Sequence, residues 1–147
     1  MKQNEPIIVK QLLNASIEQV WEALTNVVHM RKWYFDVIPN FEPRVGFKTQ
    51  FLVSSGERNF THNWSVTEVV PNSKICYHWT FNEYPGESIS AFEISKKEEQ
   101  TLLKVKSEII TDFPTDIPEF KRESGAAGWE HLIKESLPKF IEKSIKF

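Results

Sequence analysis

The stretch RNFTHNWSVTEVVPNSKICYHWTF, residues 58–81, decides how this chain folds. Phe60, His62, Trp64 and Val66 recur at every second position, with Thr61, Asn63, Ser65 and Thr67 between them. A period of two sends successive side chains to opposite faces, so Arg58 to Val70 predicts a strand with one face to be buried. Pro71-Asn72-Ser73 supplies turn residues. Lys74 to Phe81 repeats the pattern, setting Ile75, Tyr77, Trp79 and Phe81 against Cys76, His78 and Thr80. Two half-apolar strands on a short turn predict an antiparallel pair covered on one side.

The same reading extends outward. Upstream, Gly46 to Val53 alternates Phe47, Thr49, Phe51 and Val53 to one side, and Ser54 to Glu57 reads as a turn. Downstream, Tyr84 to Glu87 turns the chain into a strand over Ser88 to Ser95, with Ser90, Phe92 and Ile94 together. Lys96 to Glu99 is a charged hairpin tip. Thr101 to Thr111 then aligns Leu103, Val105, Ser107 and Ile109. A further strand, Pro6 to Asn14, sets Ile7, Val9, Gln11 and Leu13 on one side.

Helices flank this meander. Ser16, with Gln19 three residues on, has the spacing of a capping box. Ile17, Val20, Trp21 and Leu24 then form one apolar face. Thr25-Asn26 interrupts, and Val27 to Trp33 predicts a second short helix. Pro114 and Pro118 mark a loop before a long final helix, and Pro118 suits a first-turn position. Trp129, Leu132, Ile133, Leu137, Phe140 and Ile141 make its apolar stripe. Pro138 lacks an N–H, which predicts a kink near Lys134 to Pro138. Gly125 and Gly128 weaken a helix and predict close approach to the sheet in compensation. Lys134, Lys139, Lys143 and Lys146 interleave with Glu135 and Glu142, the pattern of a solvated face. The expected architecture is one α+β domain over residues 1–147. Six antiparallel strands curve around a long C-terminal helix, with two short helices after the first strand.

Composition narrows the function. A net charge of -2 over 147 residues argues against sequence-independent nucleic-acid binding, which needs a basic surface. No run reaches the length of a membrane span, and the polar N-terminus holds no secretory core, so a cytoplasmic protein is expected. The single Cys76 forms no intrachain disulfide and reads as a small, partly buried residue on the outer strand face. His29, His62, His78 and His131 have no metal-site spacing, and no phosphate loop or nucleophile elbow is present. No metal, cofactor or catalytic residue is assigned.

What stands out is aromatic content, with 11 Phe, 5 Trp and 3 Tyr. Phe51, Phe60, Trp64, Tyr77, Trp79 and Phe92 fall on inward faces, and Trp129 and Ile133 face them from the helix. These rings either line a pocket or fill the space. Trp33 and Tyr34, ending the second short helix, either gate an entrance or plug the end of the sheet. His62, on an inward face, is either a polar anchor or general base, or a structural imidazole bonded to a loop or water. Ser90 and Ser107 stand where apolar residues are expected; they either leave room and offer hydrogen bonds to a ligand, or meet water at the sheet edges.

The chain resembles the superfamily of Bet v 1-like, START-related domains, the SRPBCC or helix-grip group. Within it, the chain most resembles the branch named for activator of Hsp90 ATPase homologue 1. The marks are Val20-Trp21-Glu22-Ala23-Leu24-Thr25 followed by Trp33, and Pro43-Arg44-Val45-Gly46 leading into a strand. Trp64 to Pro71, Tyr77-His78-Trp79 and Gly128-Trp129-Glu130 complete them. The resemblance covers nearly the whole chain and implies the helix-grip fold. It also implies a choice of functions. The first is binding of an apolar or amphipathic small molecule between sheet and helix. The alternatives are a cyclase- or hydratase-like enzyme using acid–base groups in the pocket, and a chaperone-interacting domain. The co-chaperone of that name carries a further N-terminal domain that engages the chaperone, and 147 residues leave no room for one, so binding is placed first.

Overall fold

The structure, a computed structural model, describes residues 5–145. Lys146 therefore lies outside the described residues. The strands are β1 (Ile7–Leu13), β2 (Lys48–Ser55), β3 (Arg58–Val70), β4 (Lys74–Phe81), β5 (Glu87–Lys97) and β6 (Gln100–Thr111). Helices α1 (Ile17–Thr25) and α2 (Val27–Trp33) follow β1. A short 3-10 turn, Pro118–Phe120, leads into α3 (Arg122–His131), a π-helical segment (Leu132–Ser136) and α4 (Leu137–Ile145). The last three form one C-terminal helix, since the junction residues Leu132 and Leu137 keep right-handed helical backbone.

All six strands pair antiparallel in the order β1-β6-β5-β4-β3-β2. The α+β helix-grip architecture expected from the strand order is the one observed. The alternation in β3 is realised in full: Phe60, His62, Trp64 and Val66 are all buried. A bulge between Val66 and Glu68 then shifts the phase. It turns Val69 toward the core and leaves Glu68 outside. Cys76 pairs with Glu68 across that bulge and is buried at 6% exposure, more deeply than expected.

The capping box at Ser16 forms, with Gln19 N–H donating to Ser16 Oγ at 3.1 Å and Ser16 N–H to Gln19 Oε1 at 2.8 Å. Asn26 ends α1 and caps α2, its Oδ1 accepting from Val28 N–H at 2.9 Å. The sharp break between the two helices lets both pack against α4 across the end of the sheet. Among the described residues no helix is long and apolar enough to cross a membrane.

Three local expectations change. The turn placed over residues 54–57 is tighter: Ser54 and Ser55 stay in the ladder opposite Asn59 and Arg58, and Gly56, at φ +61°, makes the corner with Glu57. The kink expected near Pro138 takes the form of a π turn. Leu137 N–H reaches back five residues to the Leu132 carbonyl. Pro138 has no N–H to give Lys134, and a wider turn just before it lets its ring clear the preceding one. Of the two helix glycines, only Gly125 sits close to the sheet, where an added Cβ would meet Ile7 Cδ1 at 3.4 Å. Gly128 faces open space, so close approach does not explain it.

Candidate functional site

The concave face of the sheet divides into two halves. One is solid. The chain leaves α2 through Trp33, Tyr34 and Phe35, and these three rings fold inward. Tyr34 stacks on Trp33 at 4.6 Å and on Phe35 at 4.9 Å, and also touches Trp64, Phe92 and Trp129. Its hydroxyl meets that of Tyr77 at 2.8 Å. Tyr34 as a whole is half-buried, yet its hydroxyl lies deep, and burial holds both phenols well above their ordinary titration range. Two further bonds pin this segment: Trp33 Nε1 donates to the Ala23 carbonyl at 2.7 Å, and Ser136 Oγ, in the π turn, donates to the Trp33 carbonyl at 2.6 Å. Phe51, Trp64, Tyr77, Phe92 and Ile133 are buried around it.

The other half is open. Between the sheet and the start of α3 lies a cavity of about 150 Å³. Trp79, Phe81, Phe113, Phe120 and Trp129 supply its aromatic walls. Ile7 and Ile109 close it on the β1–β6 side, and Ser88 and Ser107 put hydroxyls on its lining. Among the described residues neither serine side chain has a hydrogen-bond partner. Phe113 is seated by Gly86. The glycine adopts φ +123°, and a Cβ there would fall 2.3 Å from the Phe113 ring. The freedom of glycine thus brings an aromatic from the β6–α3 loop onto the cavity wall, where it stacks on Phe120 at 4.9 Å.

Trp79 is the partition between the halves. It lines the cavity and also contacts Tyr34, Phe35 and Trp64. Its indole Nε1–H donates to His62 Nδ1 at 2.9 Å. That bond requires a lone pair on Nδ1, so the neutral ring carries its proton on Nε2. His62 also stacks on Phe51 at 4.9 Å. Burial pulls its pKa from 6.5 down to about 4, against the opposing charge of Glu83. His62 therefore stands as a neutral acceptor that orients Trp79, behind the cavity wall.

The thirteen residues singled out from sequence distribute accordingly. Trp79, Ser107 and Trp129 line the cavity. Trp33, Tyr34, Phe51, Trp64, Tyr77, Phe92 and Ile133 belong to the solid half. Phe60 packs behind the far end, against Phe81, Tyr84 and Phe120. Ser90 is fully buried with its hydroxyl unpartnered, while Ser88, two positions earlier on the same face, reaches the cavity. Sequence reading passed over Ser88, Phe113 and Phe120. Ser88 carried the signal, since it shares the alternation of Ser90 and Phe92; the two phenylalanines sit in loop and 3-10 turn, where no period marks them.

Wider depressions exist on the outside. One of about 570 Å³ runs along Tyr34, Phe35, Leu52 and Leu132, on the outer side of the plug. Another, of about 580 Å³, crosses the outer face of β2–β4 among Lys48, Gln50, Asn63 and His78. Both are wider and more polar in lining, whereas the cavity beneath α3 has mostly apolar walls with Glu5, Glu119, Lys121 and Arg122 among its lining.

Comparison with known proteins fits this architecture. The family model for activator of Hsp90 ATPase homolog 1-like protein matches residues 14–142. Protein CV1439 from Chromobacterium violaceum superposes with a TM-score of 0.74 at 21% identity, over 93% of this chain and 96% of that one. Protein MLL2253 from Mesorhizobium loti gives 0.76 at 19%, over 97% and 100%. CalU16 from Micromonospora echinospora gives 0.68 at 20%, over 95% and 78%. At these identities the likeness is one of fold. No curated protein sequence matches.

Proposed function

The chain belongs to the family of activator of Hsp90 ATPase homolog 1-like proteins, a fold that commonly binds hydrophobic ligands, and from that premise we propose that it binds an apolar or amphipathic small molecule in the cavity between the sheet and the C-terminal helix. The observation that supports this reading is the contrast inside one core. Side chains close-pack the half around Tyr34, whereas the half around Trp79 and Trp129 forms a half-open cavity of about 150 Å³. Aromatic rings and two isoleucines around a pair of serines, with charged residues at the rim, match the usual make-up of a small-molecule site, apolar walls with a few placed polar groups.

Native mass spectrometry of protein purified from its own host tests the proposal, together with Trp fluorescence titration against a panel of apolar compounds. A bound small molecule, or saturable quenching, is expected. A protein that arrives empty and binds nothing in the panel would remove the reading.

A further inference from the structure

The size and lining of the cavity extend that reading to the class of molecule it takes. The space of about 150 Å³ in this half-open cavity is comparable to an engineered apolar cavity that admits benzene, while pockets for larger ligands span roughly 300–1,000 Å³. The walls are rings. Trp129 meets Trp79 edge-on at 82° and Phe113 stacks on Phe120 at 19°, so the wall itself already combines edge-to-face and stacked pairs. A planar ring answers such walls with stacked and edge-to-face contacts, and it has no rotors to freeze, unlike an alkyl chain.

Of the two serines on the lining, Ser88 is the more deeply buried and marks where a polar group of the guest would sit. Ser88 is only 7% exposed, lines the cavity, and has no hydrogen-bond partner among the described residues. Its oxygen is accessible from the cavity, and a hydroxyl pairs with a donor or an acceptor equally well. Four charged residues border the cavity, Glu5, Glu119, Lys121 and Arg122, and their signs balance. Arg122 donates to the Glu5 and Pro6 carbonyls, and Glu119 accepts from Ser55 and Arg58. Lys121 stands exposed, where solvent and salt weaken its pull. The interior thus favours an uncharged guest.

We propose that the cavity holds a neutral single-ring compound bearing one hydroxyl or carbonyl group, with the ring against Trp79 and Trp129 and the polar group on Ser88. This rests on the cavity being the binding site at all, and the experiment separates the two claims. The full chain and its Ser88→Ala variant are titrated calorimetrically with benzyl alcohol, toluene and dodecanoate. Benzyl alcohol and toluene are expected to bind one to one, and dodecanoate not to bind. Ser88→Ala is expected to weaken benzyl alcohol about five-fold and leave toluene unchanged, the loss of one neutral hydrogen bond. Dodecanoate binding without benzyl alcohol overturns the single-ring assignment and leaves the cavity reading standing. Binding of none of the three overturns both. Equal effects of the variant on benzyl alcohol and toluene overturn the role of Ser88. A measurement on the unmodified chain stands beside these should the variant not fold: benzyl alcohol is expected to shift the indole N–H resonances of Trp79 and Trp129, and unmoved resonances overturn the placement.

Discussion

The half of the core around Tyr34 and the half around Trp129 face the same sheet with the same kinds of side chain, yet one is solid and the other hollow. The difference comes from what the connecting segments insert. Behind α2 the chain drives Tyr34 and Phe35 between Trp64, Trp79 and Phe92. Across Trp79, the connection after β6 contributes Phe113, held at the wall by Gly86, and Phe120, and both line the space without filling it. The strands provide an aromatic-lined trough; loops decide how much of it is filled. Four perturbations probe that division.

The largest effect is expected from removing the plug. Tyr34→Ala deletes a ring with contacts on every side and leaves the buried Tyr77 hydroxyl without its partner. Losing a fully buried aromatic costs about 3–5 kcal/mol, and half-buried Tyr34 should fall at the lower end of that range. Urea unfolding would measure it. The void left behind joins the groove along Phe35 and Leu132 to the interior, so the variant should also take up larger apolar ligands than the parent. A variant that loses stability without widening its ligand range would mean that the walls collapse into the space.

The partition itself should be sensitive to acid. The unfolded chain takes up a proton on His62 near pH 6.5, while the folded one resists until about 4. The depressed folded value makes this contribution complete above 6.5 and lost as the pH falls through 4. A shift of that size corresponds to about 3 kcal/mol. Protonation also destroys the acceptor for Trp79 Nε1. In His62→Gln, an amide oxygen can still accept that bond but does not titrate. Its stability should fall less than the parent's between pH 6.5 and 4, read from denaturant midpoints. Parallel slopes would place the acid sensitivity elsewhere.

This division was only half legible in the sequence. The period of two placed Trp64, Tyr77, Trp79 and Phe92 inward correctly, because an antiparallel strand leaves a residue only two faces. It said nothing on whether those rings line a pocket or fill it. That depends on Tyr34 and Phe35, which follow a helix end, and on Phe113, which lies in a loop; none of them belongs to a repeating pattern. Pro138 marked a break in the last helix, but the π turn depends on how Ser136 and Leu137 meet their neighbours. Ser88 was readable in principle. It stands first in its alternation, beside a turn, where a pattern reading stops.

Gly86→Ala attacks the hollow half from outside it. The added methyl forces an L-residue to φ +123° and displaces the Phe113 ring. Holding a non-glycine residue in such backbone costs about 1–3 kcal/mol. The thermal midpoint should fall, and ligand affinity should fall with it as one wall of the cavity moves. The solid half, followed through the indole N–H of Trp33, should keep its resonance.

Tyr34→Phe makes the smallest change and separates the two ways in which the plug is held. Its ring can keep the stacks on Trp33 and Phe35, so the trough stays filled; only the bond to Tyr77 is lost. One hydroxyl of that pair donates to the other, and its removal leaves Tyr77 as a lone buried phenol. The net worth of such a bond is about 0.5–1.5 kcal/mol, well below the cost of removing the ring. If the phenylalanine variant is nearly as unstable as the alanine one, the hydroxyl pair rather than ring packing keeps this half closed. A small loss with an unchanged ligand range instead makes Tyr34 a packing residue, one that closes its half of the trough by volume.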